Sequence, residues 1–298
     1  MSAPTTTKKR GREKGTGKTG RTNRTKEETG KIRQALISLV HSYGVATSVR
    51  HIFYLAVTAA IGPKTTEFYQ LIISQLTYAR RVGELGFEWI VDNTRRVREP
   101  LTFTGIPQAL KWLVVQYELS YWDQPEADCQ VQIWCEAATV SHIIEDVTFK
   151  YAVPYYCARG ASSITFIHDA AEAIEEDGRP AFVYWFGDWD KSGVDIFEAF
   201  KQDLLEWTPN TDVTIRRMAV TPEQIREYGL ITHEAKESKD WVGDACELDA
   251  MDTRDLQNLV ECAIVQHING AAWTAMKNRE ENEKESLCNF AAKFGGAS

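Results

Sequence analysis

Between residues 130 and 220 the chain alternates apolar, strand-like runs with helical segments, and acidic residues stand at two of the strand ends. Val131 to Trp134 reads as a strand, Thr139 to Phe149 as a helix, Tyr155 to Ala158 as a strand and Ser162 to Glu176 as a helix. Phe182 to Phe186, Val194 to Trp207 and Val213 to Val220 continue the series as strand, helix and strand. This rhythm predicts an α/β fold, a parallel sheet covered by helices, in which ligands gather at the carboxyl ends of the strands. Glu136 directly follows the first strand, and Asp188 and Asp190 follow the third, within Phe186-Gly187-Asp188-Trp189-Asp190-Lys191-Ser192-Gly193. Aspartates two residues apart in extended backbone point the same way, and Gly187 and Gly193 permit tight turns around them. Three hard carboxylates grouped in this way suit Mg2+, which keeps part of its water shell and leaves positions for phosphate oxygens.

The segment before this sheet has a different rhythm. Ile32, Leu36, Leu39 and Val40 recur at helical spacing up to Gly44. Thr47 or Ser48 caps a second helix, in which Val49, Ile52, Phe53, Ala56 and Ala60 make an apolar stripe, with Arg50 and Tyr54 beside it. A third helix, from about Thr65 to Val82, buries Phe68, Leu71, Ile72, Leu76 and Ala79. Its other face carries Gln70, Ser74, Thr77, Arg80 and Arg81, a polar and cationic surface suited to DNA. Phe87 to Val91 reads as a short strand, followed by the cations Arg95, Arg96 and Arg98. Three helices and a β hairpin make a winged-helix pattern. The expected organisation is a basic disordered tail at 1–30, a winged-helix domain at 31–100, a connector at 101–128, the α/β domain at 129–270 and a C-terminal helix and tail at 271–298.

The order strand, Glu136, helix, strand, helix, strand, Asp188-x-Asp190 resembles the Toprim fold of topoisomerases, primases and certain nucleases. Arg50-His51-Ile52-Phe53-Tyr54 resembles the Arg-x-x-Tyr-Tyr motif of the topoisomerase VI A subunit and Spo-eleven family, with Phe53 in place of the first tyrosine. Ala158-Arg159-Gly160 and Glu247-Leu248-Asp249-Ala250-Met251 also fit, so the likeness spans about residues 45–270. Trp189 and Lys191 depart from the family's usual His and Pro. The short length is most similar to the stand-alone Mini-A proteins of plasmids and phages.

The resemblance implies a homodimeric, Mg2+-dependent enzyme that cleaves double-stranded DNA by tyrosine transesterification. Tyr54 would be the nucleophile, each tyrosine acting near the Toprim site of the other subunit. Glu136, Asp188 and Asp190 would hold the metal, and Arg50 would stabilise the phenolate or the phosphate. Strand passage would require a separate ATPase subunit, since the chain has no ATP-binding motif. Arg159, with Ser162 and Ser163 at the following helix start, is a candidate phosphate contact. Tyr69 and Tyr78 are weaker nucleophile candidates because they lack the motif. Two other readings fit the same residues: a Toprim nuclease using metal-activated water with Tyr54 structural, and a noncatalytic winged-helix DNA binder.

Composition narrows the field further. The net charge of −8 conceals a local excess of six positive charges in residues 1–30, which suits nonspecific contact with DNA phosphates. Gly15-Thr16-Gly17-Lys18-Thr19 looks like the end of a P-loop, but Arg12 stands where the motif needs glycine and no strand precedes it. The six cysteines form no CxxC pair and read as reduced, mostly buried thiols. None of the six histidines falls in a metal-ligand spacing or a triad. No apolar run reaches membrane-spanning length and the N-terminus lacks a secretory signal, so the expected location is the cytoplasm.

Overall fold

In the computed structural model the described residues are 25–90, 100–158, 163–234, 241 and 243–295. The basic tail through residue 24, Arg95, Arg96, Arg98, Arg159 and Ser162 lie outside them.

Three helices open the fold: α1 (Lys26–Tyr43), α2 (Val49–Thr58) and α3 (Thr66–Arg81). α1 starts inside the segment expected to be tail. The reason is a capping box, in which Thr25 accepts from the Glu28 amide and Glu28 accepts from the Thr25 amide, with Glu27 and Glu28 at the positive end of the helix dipole. Ser48, rather than Thr47, caps α2. The three helices share a core of Leu36, Val40, Ile52, Phe68, Ile72 and Leu76, each with at most 1% of its surface exposed. Phe87–Trp89, expected as strand, is a 3-10 turn, and the only pairing near it is a parallel bridge between Thr47 and Ile90. Of the expected wing, therefore, the described residues contain one bridged position, and the rest falls at 91–99.

α4 (Ile106–Gln116) follows and packs against the C-terminal helix. Then come β1 (Gln130–Cys135), α5 (Ser141–Lys150), β2 (Tyr155–Cys157), α6 (Ile164–Asp177), β3 (Ala181–Phe186), α7 (Lys191–Trp207) and β4 (Val213–Ala219). The strands form one parallel sheet in the order β2-β1-β3-β4. Burial follows the period of two on both faces. Val131, Ile133, Cys135, Tyr184 and Phe186 enter one core with Ile143, Leu256 and Val260. Trp134, Val183 and Trp185 enter the opposite core with Ile167, Ile174, Phe200 and Leu204. Trp134 is wholly buried and stacks on Tyr156 with ring centroids 4.4 Å apart.

α8 (Pro222–Glu227), the two-stranded ribbon β5 (His233–Glu234) and β6 (Asp244–Ala245), α9 (Thr253–Val265) and α10 (Gly270–Gly295) complete the chain. Trp189 bridges Cys246 in antiparallel fashion, which ties the segment after β6 to the aspartate loop. Cys129, Cys135 and Cys246 are buried free thiols, whereas Cys262 and Cys288 are free but exposed, so the expectation of burial holds for only part of the set. No described helix is long and apolar enough to cross a membrane.

Candidate active site

The sheet geometry brings Glu136 and the Asp188 to Asp190 loop to the same carboxyl edge, because β1 and β3 are adjacent parallel strands paired up to Cys135 and Phe186. The Glu136 amide donates to the Phe186 carbonyl at 2.9 Å, so its backbone continues the ladder. Each aspartate already has a backbone partner. Asp188 accepts from the Leu248 amide at 2.8 Å. Asp190 caps α7, accepting from the Gly193 amide at 2.7 Å. Glu136 Oε2, by contrast, is buried without a hydrogen-bond partner. Burial, reinforced by the charge of Asp188, pushes the Glu136 carboxyl up to about 7, and burial also raises Asp188.

The glycines are required by proximity. A Cβ on Gly187 would lie 2.7 Å from Glu136 Oε2 and 2.6 Å from Trp185 Nε1, and one on Gly193 would lie 2.4 Å from the Asp188 carbonyl oxygen. The loop is also clamped by Arg217 of β4, a residue the sequence pattern did not single out. Its guanidinium donates to the carbonyls of Gly187 (3.0 Å), Asp188, Gly193 (3.2 Å) and Val220 (3.2 Å) and lies over the Trp189 ring. Burial lowers the Arg217 pKa, against the opposing pull of Glu136, Asp188 and Asp190.

These residues suit a divalent cation in kind. All are hard oxygen donors, and one of them is a buried carboxylate oxygen with an open valence. They do not gather tightly, however: among the described residues, the ligand trio lying mutually within 4.8 Å is His168, Asp169 and Glu172 of α6, all exposed.

Tyr54 and Arg50 lie on α2, which packs on the turn Leu248–Ala250. Arg50 is hydrogen-bonded to Glu247, and its Nε lies 3.7 Å from Asp249 Oδ2. Burial alone would raise Glu247, but hydrogen bonds from Arg50 and from Tyr54 outweigh it and keep the carboxylate below its ordinary range. Burial, with the hydrogen bond to Glu247 and its charge, pushes the Tyr54 phenol well above the ordinary tyrosine range. Only 4% of Tyr54 is exposed, so its ring is packed inside its own chain, in the same cleft lining as Arg50 and Glu247. Asp249 accepts from Thr139 at 2.7 Å, and burial pushes its carboxyl up to about 6.

The two groups therefore meet through Glu247-Leu248: the first residue pairs with Arg50, one helical turn from Tyr54, and the amide of the second donates to Asp188. Nothing local in Glu247 to Met251 marks this role, which comes from contacts with residues far away in the chain. Tyr69 lines the cleft beside Tyr54, whereas Tyr78 is half exposed under Arg33 on the far side of α3. Gln70, Ser74 and Arg81 are exposed along α3, and Thr77 and Arg80 are partly covered. Ser163 precedes α6 but makes no side-chain capping bond.

Compared with known families and curated proteins, the chain matches no family model and no curated relative.

Proposed function

We propose that the protein cleaves double-stranded DNA by transesterification, with Tyr54 as nucleophile and Glu136, Asp188 and Asp190 as the seat of a Mg2+ ion. The observation that supports this reading is the Glu247-Leu248 link, in which Glu247 pairs with Arg50, one helical turn from Tyr54, and the Leu248 amide donates to Asp188. The first three helices would be the winged-helix half and the sheet the Toprim half.

In the reaction, Tyr54 Oη forms a bond to the phosphorus of a phosphodiester while the bond to the 3′ oxygen breaks. The phenol loses its proton and the departing oxygen gains one, leaving the protein joined to a DNA 5′ end. A bound Mg2+ would offset negative charge on the transferring phosphoryl group. Arg50 is placed to favour the phenolate, since its cation beside Tyr54 opposes the raising effects of burial and Glu247. Arg217 fixes the carbonyls of the aspartate loop, so its part is positional. The homodimer belongs to the same proposal. Because Tyr54 is buried within its own chain, reaching a partner's carboxylates requires its ring to be uncovered. An ATPase partner would be needed for strand passage.

A second reading, metal-assisted hydrolysis with Tyr54 structural, draws on the burial of Tyr54 and its neutral phenol. Supercoiled plasmid incubated with Mg2+ and analysed with and without proteinase separates the two. Transesterification leaves broken DNA that enters the gel freely only after proteinase; free DNA ends without proteinase, undiminished in Tyr54→Phe, would mean hydrolysis.

A further inference from the structure

A cleft of about 300 Å3 opens beside Tyr54, lined by Arg50, Lys64, Thr66, Tyr69, His233 and Glu247 among others. Its size is at the lower end for small-molecule sites, room for one nucleotide and not for a duplex. Its floor is aromatic: Phe53 packs edge-on against both Tyr54 and Tyr69, with ring centroids 5.3 Å apart in each case.

Two donors in it lack an anion. Lys64 sits in the turn before α3, two residues after Gly62, where a Cβ would lie 2.4 Å from the Phe68 ring. Its ammonium lies 5.1 Å from the Tyr54 ring centroid and 3.4 Å from His233 Nδ1, and it has no ion pair among the described residues. Among the described residues the carboxylate lining the cleft is Glu247, which attracts Lys64 but is hydrogen-bonded to Arg50. The second donor is backbone. Thr65 caps α3 by accepting from the Phe68 amide at 3.2 Å, which leaves the Thr66 amide, at the first helical position, without an intrahelical acceptor. That amide is at the positive end of a helix of 16 residues.

We propose that this cleft binds the phosphate of a single nucleotide within a DNA strand, Lys64 and the Thr66 amide being the donors and Tyr69 the surface for sugar and base. Identifying that nucleotide as the one at the scissile position rests on the cleavage reading; the binding itself does not. Lys64 supplies the charge that the Arg50–Glu247 pair cannot, since that pair is mutually neutralised. Burial lowers the Lys64 pKa, and a bound phosphate would offset that effect.

The test is binding of a fluorescent single-stranded thymidine tetranucleotide to the full chain carrying Tyr54→Phe, with EDTA present so that no cleavage contributes. Thymidine monophosphate, inorganic phosphate and thymidine serve as competitors. Lys64→Ala, Lys64→Gln and Thr66→Pro are compared with the parent. Proline suits that position because Thr65 is already extended (φ −135°, ψ 154°) and the first helical turn tolerates it, so the helix stays while the Thr66 amide donor is lost together with the side-chain hydroxyl. Loss of one charge-assisted hydrogen bond is expected to weaken binding about tenfold or more in each variant. Thymidine monophosphate should displace the tetranucleotide and thymidine should not.

Unchanged affinity in the Lys64 and Thr66 variants overturns the proposal, as does equal competition by thymidine. A cleft that takes inorganic phosphate and excludes the tetranucleotide overturns the strand assignment. Variant-sensitive binding without any covalent adduct from the wild type would sink the cleavage reading alone.

Discussion

Replacing Glu136 by glutamine should stabilise the metal-free protein, in a way that depends on pH. Burial and the charge of Asp188 raise the Glu136 carboxyl from its ordinary 4.5 to about 7. Below the lower value both folded and unfolded chains are protonated there, and no penalty exists. Between the two values the unfolded chain has released a proton that the folded protein retains, so stability falls as pH rises. Above about 7 the penalty is complete. At about 1.4 kcal/mol per pH unit the gap amounts to about 3 kcal/mol. Glu136 keeps some contact with solvent, so about 2 kcal/mol is the better figure.

Glu136→Gln keeps the shape and removes the charge. At about pH 8 it should therefore melt roughly 4–8 °C above the wild type, with most of that gain gone at about pH 5. Mg2+ should act in the opposite sense. At about ten times its Kd it should add about 1.4 kcal/mol to the wild type and little to the variant. Circular-dichroism melting at both pH values, with and without magnesium chloride, measures each quantity. Equal melting temperatures near the higher pH would refute the reasoning, and so would a gain of the same size near the lower one.

Two further substitutions separate shape from charge at the same edge. Asp190→Ala should cost about 1 kcal/mol by removing the cap of α7, whereas Asp190→Asn should keep that stability and lose only the response to Mg2+, again read by melting. Arg217→Met should cost on the order of 3 kcal/mol in chemical denaturation, because the carbonyls of Gly187, Asp188, Gly193 and Val220 lose a charged donor. It should abolish the Mg2+ response as well; a normal response would remove Arg217 from its positioning role.

Much of the sheet could be read from the sequence because its strands are buried on both faces. Ala181–Phe186 is a continuous apolar run and Gln130–Cys135 is one broken by Gln132, and the side chains that follow them are fixed at the edge by parallel pairing. Glu136, Asp188 and Asp190 were visible for that reason. What they are bonded to was not. The Asp190 cap depends on the Gly193 amide turning back, and the Asp188 contact comes from Leu248, sixty positions away. Arg217 looks like an ordinary strand residue, since nothing local shows that its guanidinium reaches three carbonyls of a neighbouring loop as well as that of Val220. Lys64 was hidden in a turn for the same reason. At Thr25–Glu28 the basic composition of the surrounding segment masks a capping box, and at Phe87–Trp89 two aromatic residues of strand-forming type take a 3-10 turn instead.

The most direct test of the central claim is to map the nucleotide-bearing peptide after cleavage. Protein reacted with plasmid DNA and Mg2+, then treated with nuclease and trypsin, should yield a peptide carrying a nucleotide on Tyr54 by tandem mass spectrometry. Tyr54→Phe should give neither the adduct nor cleavage, and Asp188→Asn should give neither despite an intact Tyr54. Cleavage by Tyr54→Phe at the wild-type rate, with no nucleotide on any tyrosine, would contradict the claim and leave metal-assisted hydrolysis as the chemistry of the Glu136, Asp188 and Asp190 edge.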